Sequence, residues 1–235
     1  MPFRLVRIDF SDEPKCRFCP NKLTSGKVRI LRDDQGDEVQ AGPTCAQKYA
    51  INHREKVPDL TKAAIDPEEE KGANGRGGSG TGGERSADEQ AEQQRREKAE
   101  VYLLLRAEKL KTLRGMFLKP MEEISHRYAE GNMKPNDYLH ISNLMAKADR
   151  DMPNLSLQNL QAVYAARFWM QHLLRLTPSE ARSTFLKSIL ERLEANLSLS
   201  SAQVARLNEC LSESAGRVRI DPTAFVALSN RKRPE

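Results

Sequence analysis

Residues 16–19 read Cys-Arg-Phe-Cys, and residues 42–46 read Gly-Pro-Thr-Cys-Ala. These two stretches decide how the rest of the 235-residue chain is read. Two thiolates separated by two residues can grip one metal ion from a tight turn. A third, Cys45, in the first turn of a helix approaches the ion from the other side, where the helix dipole eases its deprotonation. The alternatives for Cys16 and Cys19 are buried structural thiols or a redox pair. A redox pair belongs at the start of a helix within a βαβ pattern, which this segment does not show. Four cysteines in all are too few for a disulfide framework.

The flanking sequence predicts small β-hairpins. Phe3–Phe10 (FRLVRIDF) alternates so that Val6, Ile8 and Phe10 share a face, and Val28 and Ile30 alternate with Lys27 and Arg29. DDQGDE, residues 33–38, supplies a turn into EVQAG. Gly42-Pro43-Thr44 opens a helix, since Pro is tolerated in a first turn, and CAQKYAINHREK continues it to a stop at Pro58. A hairpin lying between two ligand groups is the treble-clef arrangement, so residues 1–60 are predicted to be a small α+β, treble-clef-like zinc module. Its candidate core of Val6, Ile8, Phe10, Phe18, Leu23, Val28, Ile30, Tyr49 and Ile51 is small for about 60 residues, and such domains need a staple. Structural zinc supplies on the order of 10 kcal/mol. His53, the only histidine before residue 71, is the fourth ligand if the helix ends near Ala50. Along a continuous helix it would lie about 12 Å from Cys45, too far to share an ion. Asp9, Asp12, Glu13, a water and Cys210 are the alternatives.

Seven of the 13 glycines fall between Gly72 and Gly83, in KGANGRGGSGTGG. That segment has no side chains able to bury surface, so it is predicted to be a flexible tether with an r.m.s. span of about 19 Å, leaving the two halves free to reorient. Residues 61–100 form an acidic, Gly-rich linker plus the polar lead of a helix. Residues 101–235 are predicted to be an all-α irregular helical bundle. Leu103, Leu110, Leu113, Phe117, Met121, Ile124 and Tyr128 make one apolar stripe, which Pro120 should kink or divide. Further helices open at Pro135 or Asn136, at Asn154, and at the capping box Thr177-Pro178-Ser179-Glu180. Ser200-Ser201 precedes another, with a short closing helix at Asp221-Pro222.

CRFCPNKL (16–23) and AGPTCAQKYA (41–50) together resemble a short zinc-finger domain of unknown function found in bacteriophage and bacterial mobile-element proteins. Its pattern is C-x-x-C-G-x-x-L followed by G-I-G-P-x-C-A. The likeness covers about residues 14–50 and implies Cys16, Cys19 and Cys45 as ligands, with Gly42 and Pro43 as the turn presenting the third. Pro20 stands where that family carries Gly, and Ala41 precedes Gly42. Residues 185–211, FLKSILERLEANLSLSSAQVARLNECL, are similar to the helical segment that accompanies such fingers. The resemblance implies metal binding and a mobile-element setting, without an activity.

Charge is divided unevenly. Residues 1–60 carry eleven Lys and Arg against nine Asp and Glu, and residues 101–235 carry twenty against fourteen. Arg17 and Lys22 flank the Cys-x-x-Cys knuckle, Lys27 and Arg29 share a strand face, and Lys48 lies one turn beyond Cys45. Such residues suit phosphate contacts, so DNA or RNA is the expected partner of the module. The alternative is a protein–protein interaction adaptor. In that case a long helix from Glu84 to Tyr128 offers positions 103, 110, 117 and 124 to a partner or a second copy. His126, His140 and His172 are isolated, and no hydrolase, zinc-protease, deaminase or nucleotide-loop motif occurs, so no enzymatic activity is expected. No apolar run exceeds Val101–Leu105 and the N-terminus lacks a secretory signal, so a cytoplasmic protein is expected, with no membrane partner.

Overall fold

The alternating residues near the start of the chain pair into an antiparallel sheet. The computed structural model describes residues 2–21, 23, 25–65, 86–177, 179–214 and 218–226. In it, β1 (Arg4–Phe10), β2 (Lys27–Arg32) and β3 (Glu38–Ala41) lie in the order β1-β2-β3. Phe10 pairs with Lys27, Arg4 with Arg32, and Arg29 with Ala41. The predicted turn forms as the Asp33 carboxylate accepts the Gln35 and Asp37 amides at 3.0 and 2.9 Å, with Gly36 at φ 95°. Two details depart from simple alternation. A register shift between Leu5 and Arg7 buries Leu5 and leaves Val6 half-buried. β2 is buried on both faces, through Val28 and Ile30 on one side and Leu31 on the other.

α1 (Pro43–Tyr49) stops well short of Pro58. Ala50 is extended and bridges Phe3 in parallel, the Ile51 amide bonds the Phe3 carbonyl at 2.9 Å, and the Asn52 amide group clasps both backbone groups of Leu5. Farther along, Ile8 donates to Pro58 O and Leu60 donates to Ile8 O. Residues 50–60 thus satisfy the outer edge of β1, whose amides and carbonyls would otherwise be unpaired. That demand overrides the helical composition of AINHREK.

The C-terminal region is mainly helical, though not all-α as expected, since Arg219–Ile220 form a short strand that pairs with Ala64–Ile65. α2 (Ala87–Leu104) begins at a Ser86/Glu89 capping box. α3 (Lys119–Ala129) carries Pro120 in its first turn, and α4 (Pro135–Asp151) follows. α5 (Leu157–Leu176) is capped by Ser156, because Asn154 sits in a 3-10 turn. α6 (Glu180–Asn196) is capped by Ser179, which accepts the Arg182 amide, and not by Thr177 as the expected capping box would have it. At α7 (Ser201–Ser214), Ser200 and Gln203 bond each other reciprocally. Asp221 caps the short turn Pro222–Ala224. The long helix predicted from Glu84 to Tyr128 is divided, not merely kinked: α2 gives way to a π-turn at Leu105–Lys109, and Pro120 restarts the chain as α3. Of the proposed seam, Leu103, Leu110 and Ile124 are core residues, and Phe117 is 65 % exposed. No helix among the described residues is long and apolar enough to cross a membrane.

The sheet and the helices share a core. Phe10 stacks on Phe168 at 4.7 Å and contacts Tyr164 and Trp169, while Leu60, Ala63 and Ala64 join the same cluster. Trp169 and Met170 face inward, and Phe168 is the member of that trio covered by β1. β4 (Ala64–Ile65) pairs antiparallel with β5 (Arg219–Ile220). Asp9, only 3 % exposed, accepts the Tyr164 hydroxyl at 2.6 Å and pairs with Lys109 at 2.6 Å. Arg7 bridges the same carboxylate to a bidentate pair with Glu38. The end of β1 and residues 60–65 are therefore packed on the helical region, in place of the freely reorienting halves expected. Residues 71–83, the predicted tether, lie outside the described residues.

Candidate metal centre

Backbone pairing brings the three cysteines together. The Arg17 amide bonds Gln40 O at 2.8 Å, which pins the Cys16–Cys19 knuckle to the end of β3. β3 leads through Gly42 into α1, where Cys45 occupies the first turn. Gly42 is buried, and a Cβ there would stand 2.9 Å from Leu23 Cδ2, so a larger residue would require the Leu23 side chain to shift. Its amide points at Cys16 Sγ, 3.5 Å away.

The thiol sulfurs of Cys16, Cys19 and Cys45 lie within 4.8 Å of one another, with Cys45 and Cys19 at 3.5 Å. Four sulfurs around a tetrahedral ion at about 2.3 Å would be separated by about 3.8 Å, so the spacing already suits a shared cation. Among the described residues this is the one group of three or more potential ligands that meets in this way. All three are half-buried.

The thiols do not ionise alike. Burial disfavours the Cys16 thiolate, but hydrogen bonds from the Gly42 and Phe18 amides and from the Cys19 and Cys45 thiols outweigh it and pull Cys16 down to about 7. Burial, donation to Cys19 and Cys16, and repulsion from their charge push Cys45 up to about 12. The cluster readily holds one negative charge and resists the next. A bound cation would remove that resistance by neutralising the repulsion.

One wall of the site is aromatic. Phe18, inside the knuckle, stacks on Tyr49 at 4.4 Å and meets Phe3 edge-on at 5.3 Å. Leu5, Leu31, Ala41, Ala46 and Ala50 form a small cluster beneath, with Cys16 and Cys45 packed against it. The apolar residue within Cys-x-x-Cys was the available sequence signal for this support. Nothing local marked Phe3 as its partner.

His53 does not join the cluster. Although α1 ends at Tyr49, the His53 Nδ1 lies 3.0 Å from Ala50 O, and the ring borders a cleft of about 390 Å³ also lined by Arg29, Glu55, Asp59 and Lys62. The other expected fourth ligands are engaged elsewhere. Asp9 is held by Lys109 and Tyr164, Asp12 by Arg175, and Glu13 by Lys15, while Cys210 is buried in the helical core. Of the basic residues, Arg17 is exposed on the knuckle and Lys48 is exposed on α1, its Nζ 5.3 Å over the Tyr49 ring. Lys27 and Arg29 are half-buried on β2, with Arg29 on the cleft wall. Lys22 lies outside the described residues. Comparison of the chain with protein-family models, curated proteins and solved structures finds no match in any of the three.

Proposed function

We propose that Cys16, Cys19 and Cys45 hold a Zn²⁺ ion in a treble-clef-like module, and that the protein is a non-enzymatic, cytoplasmic nucleic-acid-binding factor of phage or mobile-element type. The convergence of three thiols within 4.8 Å carries the metal part of this reading. An all-thiol donor set favours zinc over the harder oxygen-seeking cations. The fourth position is filled by solvent or by a group outside the described residues. The resemblance of residues 14–50 to mobile-element zinc fingers supports the biological setting.

Exposed Arg17 and Lys48, one on each of the segments that supply the thiols, support contact with phosphates. Lys22, Lys27 and Arg29 extend that contact in the proposed mode. Zinc-loaded full-length protein should retard mixed DNA or RNA at low salt, with affinity falling as salt rises and falling again in the Arg17→Ala, Lys48→Ala double variant. Absence of retardation with either nucleic acid at low salt rejects this partner. The second reading, an interaction adaptor working through the helices, is favoured by the exposed apolar side chains of Phe117, Leu139 and Leu176. It is tested by pull-down with the intact chain.

A further inference from the structure

The π-turn at Leu105–Lys109, closed by the 2.8 Å bond from the Leu110 amide to Leu105 O, turns Arg106 inward until it is 3 % exposed. Its Nη atoms reach the Tyr102 hydroxyl and the Gly115 and Met116 carbonyls, at 3.1, 2.7 and 3.2 Å. Its Nε has no partner, and among the described residues no carboxylate pairs with it. A buried guanidinium with neutral partners only lacks the compensation such a charge normally requires. Short π-turns of this kind recur at functional sites.

Arg106 lines a cavity of about 280 Å³ whose other walls are both charged and apolar. Lys111, Ser125 and His126 are its further polar side chains able to donate, and Met116, Phe117 and Met121 supply apolar surface. The first turn of the 11-residue α3 borders it, with the Met121 and Glu122 amides already bonded to Leu118 O at 2.9 and 3.3 Å, so the side chains supply the donors. Two carboxylates also border the cavity. Glu108 is engaged by Lys109 at 2.9 Å, and Glu122 lies in the first turn of α3. We propose that this cavity binds a small amphipathic carboxylate, its anionic head against Arg106 and Lys111 and its apolar body between Met116, Met121 and the exposed ring of Phe117. The volume is at the small end for ligand pockets and limits the occupant to a compact molecule.

The test is a titration of the full-length, metal-loaded protein with phenylacetate, its neutral isostere phenylacetamide, and inorganic phosphate, followed by amide NMR. Phenylacetate is expected to give saturable shifts at Met116–Leu118 and Ser125. The amide should bind about tenfold more weakly or worse, as should phenylacetate with the Lys111→Ala variant. Arg106→Gln should abolish binding; should that variant fail to fold, Lys111→Ala and the isostere still decide the matter. No saturable shift, or equal binding of acid and amide, overturns the proposal. Phosphate binding more tightly than phenylacetate overturns the amphipathic class.

Discussion

Replacing Asp9 with Ala should uncouple the sheet from the helices. Asp9 is 3 % exposed and serves two groups across the junction, the Tyr164 hydroxyl and the Lys109 ammonium, each at 2.6 Å. Removing it strands the Tyr164 hydroxyl and takes from Lys109 its closer carboxylate. Deleting one partner of a buried pair typically costs about 3–5 kcal/mol, and an unsatisfied buried hydroxyl adds to that. Lys109 keeps Glu108 at 2.9 Å, which places the expected loss at the lower end, about 3 kcal/mol, or roughly a hundredfold in the folding equilibrium. Trp169, the single tryptophan, lies 6.2 Å from the Phe10 ring and beside Gly26, so its fluorescence reports this junction. Urea denaturation followed at Trp169 should show the loss. The double variant Asp9→Ala, Lys109→Met should recover part of it, because the half-buried ammonium that has lost its closer carboxylate is then removed. A change below about 0.5 kcal/mol with an unchanged urea slope would refute the claim that this carboxylate locks the two parts together.

Gly26→Ala should cost about 1–3 kcal/mol in the same assay, since φ is +68° and the new Cβ would stand 3.1 Å from two ring carbons of Trp169. Phe18→Ala should lower the stability of the loaded protein by about 2 kcal/mol and hasten metal transfer to a chelator, because both ring contacts at the knuckle are lost. His172 is held below its ordinary value by burial and by Arg175, which Asp12 only partly offsets. The unfolded chain therefore binds this proton more readily. The contribution of the neutral imidazole is full above the unfolded value of about 6.5 and is lost progressively as pH falls from there through the lower folded value. Melting temperatures measured from neutral to mildly acidic pH should fall less steeply in His172→Phe than in the parent protein.

What was legible in the sequence was local. Ser200, Asp221 and Pro120 mark helix boundaries because a cap or a missing amide acts within one turn, whereas the cap read at Thr177 falls two residues later, at Ser179. The three cysteines are recognisable by spacing, and the turn at Gly36 and the Gly42-Pro43 helix start work through their own backbone geometry. What could not be read depends on partners far along the chain. Asp9 reads from the sequence only as an alternative metal ligand, and its role at the junction emerges once Tyr164, 155 positions away, is set against it. α1 stops at Tyr49 because the β1 edge captures residues 50–60, a tertiary demand invisible in AINHREK. Leu31 interrupts the binary pattern of β2 because that strand is covered on both faces. His53 was a reasonable ligand by type, but the backbone turn after Ala50 directs its ring to that residue's carbonyl.

The central claim is that Cys16, Cys19 and Cys45 form one metal centre, and metal content of the purified full-length chain tests it most directly. Elemental analysis should find one zinc per chain in the parent protein and in Cys210→Ser, whose thiol is buried in the helical core, and almost none in Cys16→Ser or Cys45→Ser. Zinc retained undiminished by Cys45→Ser, or absent from the parent protein, would contradict the account.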